Sequence, residues 1–154
     1  MSPIAIVPLR EAMQAKVDST NPSLPIVLIV DDEKIIADTL GAIFRTNGYT
    51  ALTAYDARTA LDLAEAAPPA LMISDVMMPR MNGIELAITM RELFPACKIL
   101  LFSGQATTVD LLASARDMGY DFTTLSKPVH PTEMLRRASE CLQFPDMPEL
   151  AFAI

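Results

Sequence analysis

Five side chains in this sequence share one setting: each stands where a short apolar run gives way to a turn. Asp31 and Asp32 follow "IVLIV" (26–30), Asp75 follows "ALMIS" (70–74), Ser103 closes "CKILLFS" (97–103) and Lys127 follows "FTTLS" (122–126). Three carboxylates crowded into one site repel one another and do not all stay ionised unaided. A divalent cation resolves that repulsion, and Mg²⁺ takes oxygen ligands in octahedral geometry, typically one or two carboxylates with waters and phosphate oxygens in the other positions. A lysine beside such a site neutralises a phosphoryl group as a point charge. A serine hydroxyl donates to a phosphoryl oxygen, and a carboxylate is a nucleophile that can itself become phosphorylated. Taken singly, each residue has a plainer reading. Asp starts turns and caps helices, Ser-Gly makes an ordinary turn, and a lysine is by default solvated. Two adjacent acids need only one cap, however, and a joint match at four strand ends favours one site over four coincidences.

Only a particular arrangement of elements brings residues so far apart in sequence together. "IVLIV" is continuous and β-branched, as expected of a strand covered on both faces. "YTALTA" (49–54), "ALMIS", "CKILLFS" and the weaker "FTTLS" read as four more strands. Between them lie amphipathic segments. Residues 33–48 put Ile36, Leu40, Ile43 and Phe44 on one helical face and end at Gly48, a good terminating residue. Helices follow over 56–67, stopped by Pro68 and Pro69, over 83–94, stopped by Pro95, and over 107–119, closing on Gly119. The last spans 131–144, with Pro131 in its first turn and Thr132 as a candidate N-cap. Strands alternating with helices imply βαβ units, right-handed crossovers and a doubly wound, three-layer α/β fold with a parallel sheet. Ligands of such folds bind beyond the carboxyl ends of the strands, where all five residues lie.

Residues 1–25 stand apart as an N-terminal extension, either a linker or a short helix carrying Leu9, Met13 and Val17 on one stripe. Residues 145–154 form a C-terminal tail, leaving 26–144 as the domain. With 12 Lys and Arg against 19 Asp and Glu, the net charge of −7 argues against a nucleic-acid partner. Cys97 and Cys141 are in no metal-like spacing and read as buried reduced thiols. The longest aliphatic run, five residues, is far too short to cross a membrane, and the N-terminus fits neither a secretory signal nor a transit peptide. A cytoplasmic protein is expected.

The motifs "IVDDE", "MISDVMMPRMNGIEL", "ILLFSG" and "LSKPV", in this order and spacing, resemble the receiver domain of two-component response regulators, of the stand-alone chemotaxis-regulator kind, over residues 26–143. The resemblance implies a flavodoxin-like fold with strand order 2-1-3-4-5 and five helices. It implies that Asp75 is the phosphoacceptor, that Asp32 binds Mg²⁺ directly with Asp31 assisting, and that the backbone carbonyl of Met77 completes the protein ligands. Ser103 would sense the phosphoryl group and Lys127 would pair with it, aimed by a cis Lys127–Pro128 bond. Pro79 and Gly83 would shape the loop after the acceptor. The implied partners are a sensor histidine kinase or phosphotransfer protein and a downstream protein target, with homodimerisation through the helix 4–strand 5–helix 5 face as one arrangement. A receiver is a phosphoacceptor with slow self-dephosphorylation rather than an enzyme.

Three departures stand out. Ser103-Gly104 replaces the commoner Thr-Ala, and Met77 bears on water access to the acceptor. Thr124 stands where an aromatic ring is usual, so either Thr124 replaces the switch residue or a bulge near 120–123 brings Phe122 to its place. His130, the only histidine, has no companion ligands and is assigned no role. Two rivals are weighed. A phosphohydrolase with an aspartyl-phosphate intermediate wants a second acid two residues after the first, where Met77 stands. A degenerate receiver that is never phosphorylated is disfavoured by the intact Asp32, Asp75 and Lys127.

Overall fold

β1 (Ile26–Val30) is aliphatic at every position and buried at every position, because the sheet continues on both sides and helices cover both faces. The computed structural model describes residues 24–104 and 108–143. After β1 come α1 (Lys34–Arg45), β2 (Thr50–Ala54), α2 (Ala57–Ala66), β3 (Leu71–Asp75), α3 (Gly83–Leu93), β4 (Lys98–Ser103), α4 (Thr108–Asp117), β5 (Thr123–Ser126) and α5 (Pro131–Gln143). All four strand pairs are parallel, in the order β2-β1-β3-β4-β5. The doubly wound, five-stranded architecture expected from the sequence is therefore the one observed. The N-terminal extension, apart from Leu24 and Pro25, and the C-terminal tail lie outside the described residues.

Side chains alternate across the sheet with period two, which divides the interior into two cores. Val27, Ile29, Leu71, Ile73, Leu100 and Phe102 face Leu40 and Phe44 of α1 and Met134 and Ala138 of α5. Leu28, Val30, Met72, Ile99 and Leu101 face α2, α3 and α4 through Ala60, Leu86, Met90 and Ala115. The inner strands β1, β3 and β4 contribute most of the large, fully covered side chains, each of these apolar groups stabilising the fold by roughly 1.5–3 kcal/mol.

Several details differ from the sequence expectation, each for a local reason. The inward stripe of α1 is Ala37, Leu40, Gly41 and Phe44, while Ile36 and Ile43 stay half-buried at its edge and Ile35 is 82% exposed. α1 stops at Arg45, before Gly48, because Thr46 Oγ1 and Asn47 Nδ2 both donate to the carbonyl of Ile43 (3.0 and 2.8 Å). Gly48, with φ +95°, then turns the chain into β2. α5 is not capped by Thr132. His130 Nδ1 accepts from the Thr132 N–H (3.1 Å), so the exposed lone histidine is the capping residue. β5 begins at Thr123, leaving Phe122 just ahead of the strand. Among the described residues no helix is long and apolar enough to cross a membrane, and both cysteines are free, Cys97 buried and Cys141 half-buried.

Candidate functional site

The site forms where the carboxyl ends of β1, β3, β4 and β5 meet, as parallel strands require. β1 pairing runs one step past the strand, Asp31 N–H donating to the carbonyl of Ala54 (3.1 Å), and this pulls Asp31 wholly under the surface. Its Oδ1 accepts from the Glu33 N–H (2.9 Å) at the start of α1. Its Oδ2 is buried with no hydrogen-bond partner among the described residues. Burial, opposed by the Glu33 N–H and aided by the charge of Asp75, raises the Asp31 carboxyl to about 6. Asp32, the next residue, is exposed at the mouth.

Asp75 is the last residue of β3 and lies in register with Phe102 of β4. Its backbone is fixed from two sides. Ser74 Oγ donates to its carbonyl (2.9 Å), and Gly83 N–H donates to the carbonyl of Val76 (2.7 Å). Gly83 has an ordinary φ, so the freedom to make a tight turn is not why glycine stands there. A Cβ at that position would run into the Asp75 carbonyl oxygen, 2.9 Å from Asp75 C and Val76 Cα. The loop between them turns through Arg80, whose φ of +66° is in the left-handed region. α3 then starts from a reciprocal capping box between Asn82 and Glu85.

Lys127 Nζ stands 3.3 Å from Asp75 Oδ1 and 5.1 Å from the centre of the Phe102 ring. Its backbone N–H donates to the carbonyl of Ser103 (2.9 Å), which ties β5 to β4 at this depth. The Lys127–Pro128 bond is cis, as the sequence resemblance implied. Burial pushes the Asp75 carboxyl above its ordinary value, and Lys127, the Met77 N–H and Asp32 adjust it, the first two downward and the last upward. The Met77 side chain is exposed at the rim.

One ligand oxygen from each of Asp31, Asp32 and Asp75 lies within 4.8 Å of the others. Three acids against one lysine, with an orphaned buried oxygen on Asp31, is a donor set suited to a hard divalent cation. Three residues support the site through contacts that the sequence did not signal. Phe102 lies beneath the Lys127 ammonium, and its only sequence signal was strand alternation. Gly104 packs on the Lys127 stem, where an added Cβ would lie 3.3 Å from Lys127 Cβ. Thr108, the first residue of α4 and buried, lies 2.6 Å from Ser103 Oγ through its own hydroxyl. Thr124, paired with Leu101, is exposed. Phe122 is buried between the Tyr120 ring (6.2 Å, 8° between planes) and the Arg91 guanidinium (5.0 Å). Tyr120 is held in turn by Glu92 (2.6 Å).

Residues 27–139 match the family model described as the response regulator receiver domain. The chain is 35% identical over 125 residues to an uncharacterised 14.6 kDa protein of Leptolyngbya boryana, covering 77% of this chain and 92% of that one. It is 32% identical over 117 residues to the response regulator MprA of Mycolicibacterium vanbaalenii, covering 76% of this chain and 50% of the other. It thus spans about half the length of the curated response regulators of this kind that it matches. A CheY-like receiver domain protein of Methanospirillum hungatei superposes with a TM-score of 0.71 at 30% identity, covering 78% of this chain and 94% of that one.

Proposed function

Because the chain belongs to the response regulator receiver domain family of two-component systems, we propose that Asp75 accepts a phosphoryl group from a phosphohistidine on a sensor histidine kinase or phosphotransfer protein. The observation that carries this reading is the Lys127–Asp75 pair at 3.3 Å beside two further carboxylates. An Asp75 oxygen attacks phosphorus, forming an O–P bond as the N–P bond breaks. The imidazole leaves with the bonding electrons and takes a proton from solvent. Lys127, already against Oδ1, balances the charge that arrives on the phosphoryl oxygens, and the Ser103 hydroxyl donates to one of them. The carboxylates of Asp31, Asp32 and Asp75 with the Met77 carbonyl would hold Mg²⁺, which when bound supplies charge neutralisation of both carboxylates and phosphoryl oxygens. Water reaching the site past Met77 returns Asp75 to its free state slowly.

An apolar groove of about 560 Å³ opens beside Lys127, lined by Ile35, Ile36, Leu40, Pro128 and Val129 among others. Its position makes it the natural seat for the phosphodonor's docking surface. The output is a shift between two conformations of the α4–β5–α5 face, read by a protein partner or a second copy of the chain. The chain's net charge of −7 argues against a general affinity for nucleic acid. Acetyl phosphate with Mg²⁺ should add one phosphoryl mass to the protein and none to Asp75→Asn, whose circular dichroism stays that of the parent. Full phosphorylation of Asp75→Asn would rule the assignment out.

A further inference from the structure

Ser103 has one hydroxyl proton and two demands on it. It closes β4 between β3, which ends in Asp75, and β5, which leads into Lys127. On its other side the Thr108 hydroxyl lies 2.6 Å away, a short contact for two neutral hydroxyls. Thr108 is 3% exposed and is the first residue of α4, so its side chain cannot swing away without moving that end of the helix. Ser103 itself is half-buried and follows Phe102, the residue in register with Asp75.

We propose that Thr108 is a positioning residue for the Ser103 hydroxyl, and that the pair forms a two-hydroxyl relay joining the phosphoryl site to the start of α4. The inference rests on the phosphoacceptor reading of Asp75. Each hydroxyl carries one donor and two acceptor positions. When an anionic acceptor arrives on Asp75, it accepts a hydrogen bond from the Ser103 hydroxyl, because hydrogen bonds to charged oxygens are roughly twice as strong as neutral ones. Ser103 Oγ is then left to accept, and Thr108 is the hydroxyl placed to donate to it. That donation polarises the Ser103 O–H and strengthens its bond to the phosphoryl oxygen. Fixing the bond in that one direction orders the hydroxyl of a buried side chain at the first turn of α4. The occupancy of Asp75 is thereby reported to that helix.

No ring is placed to do the same task on the described surface of β5. Thr124 is exposed, and Phe122 is held by Arg91 and Tyr120 against the C-terminal end of α3 rather than free to follow Ser103. Among the described residues, the hydroxyl pair is a contact that runs directly from the end of β4 to the start of α4.

The test uses the full chain, with beryllofluoride and excess Mg²⁺ as the phosphoryl mimic, titrated while amide resonances of α4 are followed. Thr108→Val keeps the shape and removes the hydroxyl. It should weaken beryllofluoride binding about three- to tenfold and shrink the response of the Val109 and Asp110 amides, the loss expected for one hydrogen bond. Thr108→Ser should restore both. In a Ser103→Ala background, Thr108→Val should add no further loss, because the relay is already broken. Parental binding and parental α4 shifts in Thr108→Val overturn the proposal, and so do equal losses in Thr108→Ser or additive losses with Ser103→Ala, which would mark packing. If the unsubstituted chain fails to bind, or binding survives Asp75→Ala, the phosphoacceptor reading falls and the relay with it.

Discussion

Asp31 is fully buried, carries an oxygen with no partner among the described residues and faces two other acids, so it should weaken the metal-free protein. In the folded chain its carboxyl sits at about 6, against an ordinary value of 3.8. Between those two values the folded state binds more protons than the unfolded one, so stability falls as pH rises from about 4 to about 6. Below that window the penalty is absent, and above it the penalty is complete. At about 1.4 kcal/mol per pH unit the gap sets a ceiling of roughly 3 kcal/mol, and water entering past exposed Asp32 lowers the expected figure to about 1–2 kcal/mol. Asp31→Asn keeps an oxygen for the Glu33 N–H and removes the charge. Urea unfolding in EDTA should therefore find Asp31→Asn about 1–2 kcal/mol more stable than the parent at pH 8, with the two converging near pH 4 and m unchanged. In Mg²⁺ the order should narrow or reverse, because the metal stabilises only a chain that binds it, by about 2.7 kcal/mol at a hundred times its dissociation constant. A metal-free Asp31→Asn that is less stable at pH 8, or a difference that is the same at pH 4 and pH 8, would refute the reasoning.

Asp32→Ala should abolish most of the Mg²⁺-induced rise in melting temperature while changing the metal-free melt little, because Asp32 is exposed and its neighbour holds the buried charge; equal Mg²⁺ shifts in both proteins would mean the ion binds elsewhere. Gly83→Ala should cost at least the roughly 1–3 kcal/mol of an overpacked site, since the new Cβ meets the Asp75 backbone rather than a side chain that can move aside. It should also slow acetyl-phosphate labelling of Asp75, and a variant with parental stability and parental labelling would show that the loop yields freely.

Period-two and period-3.6 patterning was enough to read the alternation of five strands and five helices, because burial on both faces of a parallel sheet forces continuous aliphatic runs such as 26–30. The placement of Asp31, Asp32, Asp75, Ser103 and Lys127 at one edge followed from that alternation, since parallel strands end on the same side. Other features belong to contacts between elements and leave no periodic trace. That glycine at 83 answers a close backbone approach rather than a tight turn is visible only with β3 packed against the start of α3. That His130, not Thr132, caps α5 depends on how the chain enters the helix. Phe122 is pinned by Arg91 from α3, some thirty residues away, and no local pattern distinguishes a pinned ring from a free one. The difference in burial between the adjacent acids Asp31 and Asp32 is the clearest case. In charge and residue type they are equivalent; the last step of β1–β2 pairing carries one beneath the surface and leaves the other in water, and desolvation then separates their chemistry.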